Sequence, residues 1–280
     1  MKRNLLYIAL SLVAILLLSG CEKTSNIVLM HNTLTYKSYD QQTIDVRSSD
    51  FGAEIIEHYY ANGYGIIQFD RPITKISENA FYNCYNLTSI TIPDGVTLIG
   101  RKAFYNCERL TSITIPDSVT YIGREVFYDC DSLTSITIPD TVNSIEDRAF
   151  YDCDSLTSIT ILDGVTHIGR EAFYSCYSLT SITIPDTVNS IGDWAFYSCD
   201  SLTSITIPDG VNSIGDRAFS DCNDLSKVYC MATTPPKLGP NAFDENYSRF
   251  IIYVPSESVA AYKNASGWCD YADVILGYDF

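Results

Sequence analysis

The segment LTSITIPDGVTLIGRKAFYNCER, from Leu87 to Arg109, decides the fold, because the chain repeats it at a fixed step of 23 residues. Phe81, Phe104, Phe127, Phe150, Phe173, Phe196 and Phe219 keep that step, and so do Cys84, Cys107, Cys130, Cys153, Cys176, Cys199 and Cys222. The hexapeptide LTSITI starts at Leu87, Leu110, Leu133, Leu156, Leu179 and Leu202. A constant period of roughly 20–29 residues, with one short strand signal per copy, marks stacked coils that share one continuous core. Such a chain offers surface area rather than a catalytic pocket.

Within the unit, Ile90 and Ile92 fall on one face of a strand, so Ser89 and Thr91 must point the other way. Val96, Ile99, Ala103, Phe104 and Cys107 complete an apolar set of about eight inward residues per coil, each larger one worth roughly 1.5–3 kcal/mol when buried. A single coil leaves both flanks open, so burial requires neighbours above and below. Pro93, Pro116, Pro139, Pro185 and Pro208 stop the strand at one point of the coil, and Leu162 takes that place once. Gly100, Gly123, Gly169, Gly192 and Gly215 suggest a turn with permissive dihedrals, although Ser77 and Glu146 stand at equivalent positions. The expected fold is mainly β: a right-handed leucine-rich-repeat solenoid of about eight 23-residue coils, with a small N-terminal β cap and a C-terminal cap with a short helix.

The ends differ from the array. Lys2 and Arg3 precede an apolar run from Leu5 to Leu18, too short for a comfortable membrane span, and together these mark residues 1–20 as a signal peptide. The run ends in Leu18-Ser19-Gly20-Cys21, which resembles a bacterial lipobox and makes Cys21 the expected lipid attachment site. Residues 21–63 are expected to hold a linker and the N-terminal cap, with alternation at Leu34-Thr35-Tyr36 and Ile44-Asp45-Val46. Residues 64–249 form the solenoid, with Tyr64, Ile67, Phe69, Ile73, Ile76 and Phe81 in register as a degenerate first coil. Residues 250–280 form the C-terminal cap, with a closing strand at Ile252–Pro255 and Ser256 as N-cap of a short helix.

Composition excludes some functions. Loss of residues 1–20 removes Lys2 and Arg3 and takes the formal charge from −16 to −18, so nucleic acid is not an expected partner. His31, His58 and His167 do not repeat, neighbour no nucleophile motif, and are read as surface residues. No glycine-rich phosphate loop or zinc-ligand cluster occurs, so no enzyme, cofactor or metal is expected.

The string FYNCYNLTSITIPDGVTLIG, Phe81 to Gly100, resembles the BspA-like subfamily of leucine-rich repeats, whose pattern is F-x-x-C-x-x-L-x-x-I-x-I-P-x-x-V-x-x-I-G. YVPSESVAAYKNASGW, Tyr253 to Trp268, resembles the segment that closes such arrays. The resemblance covers about residues 64–270 and implies secreted or lipid-anchored bacterial surface proteins, several of them adhesive. It implies no particular ligand.

Several columns are candidates for contact. Ser89, Ser112, Ser135, Ser158, Ser181 and Ser204, beside Thr91, Thr114, Thr137, Thr160, Thr183 and Thr206, make a neutral hydroxyl sheet on the concave face. It is either a solvated parallel sheet or a shallow binding surface. Tyr82, Tyr105, Tyr128, Tyr151, Tyr174 and Tyr197 make an edge stripe, open to partners or stacked on itself. Asp94, Asp117, Asp140, Asp163, Asp186 and Asp209 repeat at the strand-ending turn, where aspartate bonds its own backbone or meets calcium or a basic partner. The cysteine column is read as buried free thiols, while Cys230 and Cys269 have the option of pairing. Asp131-Ser132-Leu133 and Asp140-Thr141-Val142 resemble an O-glycan acceptor pattern. The expected function is a lipid-anchored, outer-membrane surface binding protein for a protein or glycan macromolecule. A periplasm-facing scaffold lipoprotein and a glycan-binding accessory protein are the alternatives.

Overall fold

The computed structural model describes residues 32–47, 51–246 and 250–280. The expected signal peptide, Cys21 and His31 lie outside the described residues. The chain opens with β1 (Thr33–Ser38), β2 (Ile55–Ala61) and β3 (Tyr64–Phe69). From there two ladders of short strands alternate along the array. The shorter strands are β4 (Lys75–Ile76), β6 (Leu98–Ile99), β8 (Tyr121–Ile122), β10 (Ser144–Ile145), β12 (His167–Ile168), β14 (Ser190–Ile191), β16 (Ser213–Ile214) and β18 (Lys237–Leu238). The longer strands are β5 (Leu87–Thr91), β7 (Ser112–Thr114), β9 (Ser135–Ile138), β11 (Ser158–Ile161), β13 (Ser181–Ile182), β15 (Ser204–Ile207), β17 (Lys227–Cys230), β19 (Ile251–Pro255) and β20 (Ile275–Tyr278). Strands from β4 onward pair with one another in parallel and in register with the sequence period, as in Ser135↔Ser158↔Ser181 and Ile99↔Ile122.

The N-terminal cap departs from expectation. Tyr64–Phe69 is not the strand of a first coil: β3 pairs antiparallel with β1 and β2, and β1 is the strand that covers β5, with Tyr36 opposite Ile90. The second half of that coil does fall in register, with Ile76 beside Ile99 and Phe81 on Phe104. An antiparallel strand laid over β5 closes the array with a shape that no further coil can continue. Ile44–Val46 is not a strand; Ile44 donates its N–H to the Tyr36 hydroxyl and Asp45 lends its carbonyl to Cys84.

Inside the array, stacking is side chain upon identical side chain. The phenylalanine rings from Phe81 to Phe243 lie 5.0–5.5 Å apart and within 20° of parallel. Phe51 closes one end of that stack and Trp268 the other. The column cysteines are free thiols, and each from Cys107 to Cys222 donates to the carbonyl of the phenylalanine one coil back, as Cys130 to Phe104 at 3.2 Å and Cys153 to Phe127 at 3.1 Å. Burial raises the column thiols from Cys84 to Cys199, Cys84 to about 12 and Cys107 well above the ordinary range, which keeps them protonated donors. At the last coil Asn246 stands in the cysteine place and bonds both Phe219 and Phe243 carbonyls at 2.9 Å. Cys230 is buried and Cys269 exposed, and neither is in a disulfide.

The glycine column works by close approach. A Cβ on Gly123 would sit 2.5 Å from the Arg101 nitrogen of the preceding coil, and one on Gly100 as near to Glu78. The left-handed positions are instead non-glycine and come twice per coil, as Lys102 (φ 54°) and Asn106 (φ 57°), or Arg148 (φ 56°) and Asp152 (φ 53°). The strand-ending turn closes by a backbone bond such as Val96 N–H to Pro93 at 3.0 Å; Leu162 forms the same turn with Val165 at 3.4 Å.

The C-terminal cap holds a 3-10 turn (Ser256–Ser258) and the helix α1 (Val259–Asn264). Ser256 is not its N-cap: the Ser256 hydroxyl bonds Asp279, and Ser258 occupies the cap position without a side-chain bond. Trp268 and Tyr262 are buried and donate to the carbonyls of Pro236 and Ala232, both at 2.8 Å. The closing strand at 251–255 is present, and β20 pairs beyond it as the last strand of its sheet.

Candidate binding surface

The outer face of the longer strands carries the hydroxyl rows. Period-two alternation buries Ile113 and Ile136 and turns Ser112, Thr114, Ser135 and Thr137 to solvent. Of the twelve expected contact residues, all are exposed except Ser89, which is half-buried. They align across strands as Ser89↔Ser112, Thr91↔Thr114 and Thr137↔Thr160. None of their hydroxyls makes a hydrogen bond within the described residues. The adjoining threonine row behaves otherwise: Thr111, Thr157 and Thr180 each donate to the threonine carbonyl one coil back, at 3.0–3.2 Å. One hydroxyl row therefore knits coils together, while the other two rows stay exposed and unbonded among the described residues.

Carboxylates border these rows on both sides. Asp94, Asp117, Asp140, Asp163, Asp186 and Asp209 are exposed at the turn after the strand. They do not bond their own backbone; the next hydroxyl holds the turn, with Thr141 donating to Val119 at 2.6 Å and Thr187 to Val165 at 2.7 Å. That also engages the Asp140-Thr141-Val142 hydroxyl. On the strand's other margin an open cleft is lined by Asn106, Glu108, Asp129, Asp131, Asp152, Asp154 and Tyr177. Partial burial, then mutual repulsion, raises Asp129 and Asp131 to about 6. Among the described residues, no group of three or more His, Cys, Asp or Glu side chains is placed to hold a metal ion.

The tyrosine stripe is stacked on itself. Tyr82 through Tyr197 lie 4.5–4.9 Å apart and within 20° of parallel, so their faces are spent on one another and only edges meet solvent. Beside it runs an ion-pair series, Arg101 and Lys102 on Glu125, Arg124 on Asp147, and Arg148 and Arg170 on Glu171. Trp194 interrupts it, packed on Tyr174, Tyr197 and Arg217. Of the histidines, His167 bonds Ser190 at 2.7 Å. His58, read as a surface residue, is half-buried, its Nε2 2.8 Å from the Tyr36 hydroxyl, and burial lowers its pKa.

Sequence reasoning missed how the rows end. The threonine row continues from Thr206 to Tyr229, Tyr253 and Leu276, and the serine row from Ser204 to Lys227 and Ile251. The signal was present, since Val228 was legible as an inward residue and its neighbours had to face outward. Tyr229, Tyr253, Tyr278 and Phe280 gather there, with Tyr229 and Tyr278 each 5.0–6.3 Å from the other three rings.

The BspA type leucine rich repeat region matches residues 54–179 and 166–266, in six copies. The chain belongs to the BspA-type leucine-rich-repeat family. Solved structures it is similar to include a leucine rich cell surface protein from Faecalibacterium prausnitzii (26% identity, 79% of this chain and 76% of that one, TM-score 0.46). A leucine-rich repeat protein from Treponema pallidum shows 29% identity over 63% of this chain and 71% of that one, TM-score 0.44. One from Eubacterium ventriosum shows 26% identity over 57% and 43%, TM-score 0.50. No curated protein sequence matches the chain. Leucine-rich-repeat proteins are in general non-enzymatic scaffolds that bind other proteins.

Proposed function

We propose that this BspA-type chain is a lipid-anchored, adhesin-like protein of the bacterial cell surface, held by Cys21 and binding a partner protein across the outer sheet face. The observation that supports this is the pair of exposed hydroxyl rows without internal partners, in an array whose interior is fully committed to packing. Binding acts through area and repetition, with no chemical step. Two measurements test it. Protease treatment of intact cells should cleave the repeat domain, and full-length chain in detergent should capture a protein that the Ser135→Arg, Thr137→Arg variant does not. Full protection of the domain on intact cells would place it inside the envelope, and capture of glycans alone would replace the protein partner.

A further inference from the structure

Among the described residues β20 is the last strand of its sheet, paired with β19 on one side only. Ile275 is buried beneath it, while Leu276, Gly277 and Tyr278 are exposed. A short, exposed, apolar edge leaves backbone donors and acceptors open to an added strand. On its face lies the aromatic group described above. Tyr229 and Tyr253 are stacked at 5.0 Å, Tyr278 stands edge-on to both, and Phe280 packs on Tyr278 at 5.1 Å. Tyr278 is 44% and Phe280 51% exposed, so the group is open rather than a satellite of the core.

Charge says what covers it. Cations of the chain cap some of its other outward rings, with Arg109 4.2 Å from exposed Tyr39, Lys37 5.1 Å from exposed Tyr64 and Arg217 4.8 Å from half-buried Trp194, while exposed Tyr85, Tyr121 and Tyr177 carry none among the described residues. Among the described residues no Lys or Arg lies over Tyr229, Tyr253, Tyr278 or Phe280, and Lys227 is the one cation where β17, β19 and β20 extend these rows. Residues 250–280 carry Glu257, Asp270, Asp273 and Asp279 against Lys263 alone, in a chain of net charge −16. A cation over an aromatic face is attracted by the negative face of the ring. A second copy of the same acidic chain brings the wrong sign.

We propose that the aromatic end anchors the partner protein through an extended, Lys/Arg-bearing segment. The segment lies along the open edge of β20 as an added strand, its cations over the Tyr253 and Tyr278 rings. The proposal rests on the binding-protein reading above and names the place and chemistry of first attachment.

The test uses full-length chain in detergent and two labelled octapeptides, one alternating arginine with threonine, the other glutamate with threonine. The arginine peptide should bind and the glutamate peptide should not. Tyr278→Ser with Phe280→Ser should weaken binding about tenfold, the loss of one or two cation–aromatic contacts. Thr74→Ala, exposed at the far end of the array, should leave it unchanged, and amide exchange at Leu276–Tyr278 should slow on binding. Equal binding by the double aromatic variant would overturn the proposal, because the peptide would then be reading acidity alone. Sedimentation showing a dimer that Tyr278→Ser dissolves would overturn it in favour of a second copy. If the peptide result fails while Ser135→Arg, Thr137→Arg still loses the captured protein, the anchoring site is wrong and the binding protein stands.

Discussion

The middle coils and the C-terminal end share one interior and differ in their exteriors. From Phe81 to Phe243 the same ring stack runs through both. Outside, the middle shows Ser135, Thr137, Ser158 and Thr160, and the end shows Lys227, Tyr229, Ile251 and Tyr253 in the same register. Inward positions are held to one shape because each must fit the copy above and below. Outward positions carry no such constraint, so a change there in residue type marks a change in what the surface meets.

The interior is the larger lever. Phe127→Ala removes a ring stacked on both sides and leaves a cavity shared by three coils, at a cost of about 3–5 kcal/mol. Because coils are coupled to nearest neighbours, urea unfolding of this variant should lose its single transition and split around the middle coils, with the C-terminal end unfolding separately. A single transition at the wild-type midpoint would mean that the rings do not couple the two regions.

A smaller change falls where the interior changes hands. Asn246 takes the cysteine place, donating to Phe219 and Phe243 and accepting from the Cys222 N–H at 2.8 Å. Asn246→Ala strands these groups and should cost about 1–3 kcal/mol, confined to the C-terminal end. Hydrogen exchange should quicken at Cys222 and Phe243 and remain slow at Phe127. Uniform loss of protection along the array would show that the end is no separate region.

What the sequence made legible follows the same division. The coil period, the inward set and the cysteine column are enforced by stacking and recur in every copy, so one copy predicts the rest. The β1 insertion over β5 occurs once, and its alternation at Leu34–Tyr36 fits a cap strand of any direction, so nothing in that alternation ties it to Ile90. The glycine column looked like a turn because glycine serves both left-handed backbone and close approach; only the 2.5 Å contact to the preceding coil separates the two. The left-handed places were written in Asn83, Asn106, Asp129 and Asp152, residues that tolerate that conformation, but aspartate and asparagine are common in any turn. On the candidate surface the hydroxyl rows were legible from alternation, whereas the aromatic end required knowing that β19 and β20 continue the same register.

The smallest effect separates the regions by pH. The acidic cleft belongs to the middle coils, where burial first and neighbouring carboxylates second hold Asp129 and Asp131 at about 6, with Asp152 and Asp154 also raised. In the unfolded chain these groups titrate near 3.9. Between those values the folded protein keeps protons that the unfolded chain has released, so the folded state is favoured at low pH and loses that advantage as pH rises through about 6. Glu125 works the other way, lowered by Lys102 and Arg101 although burial opposes them, and its contribution fades in acid. The melting temperature should therefore rise on going from pH 7.5 to pH 5, and Asp129→Asn with Asp131→Asn should raise it at pH 7.5 and flatten the rise. Because the whole chain is acidic, some rise would persist in the variant from lower net charge. The comparison holds only if the two substitutions remove a measurable part of it, and an identical pH profile in both proteins would show that the cleft carries no special strain.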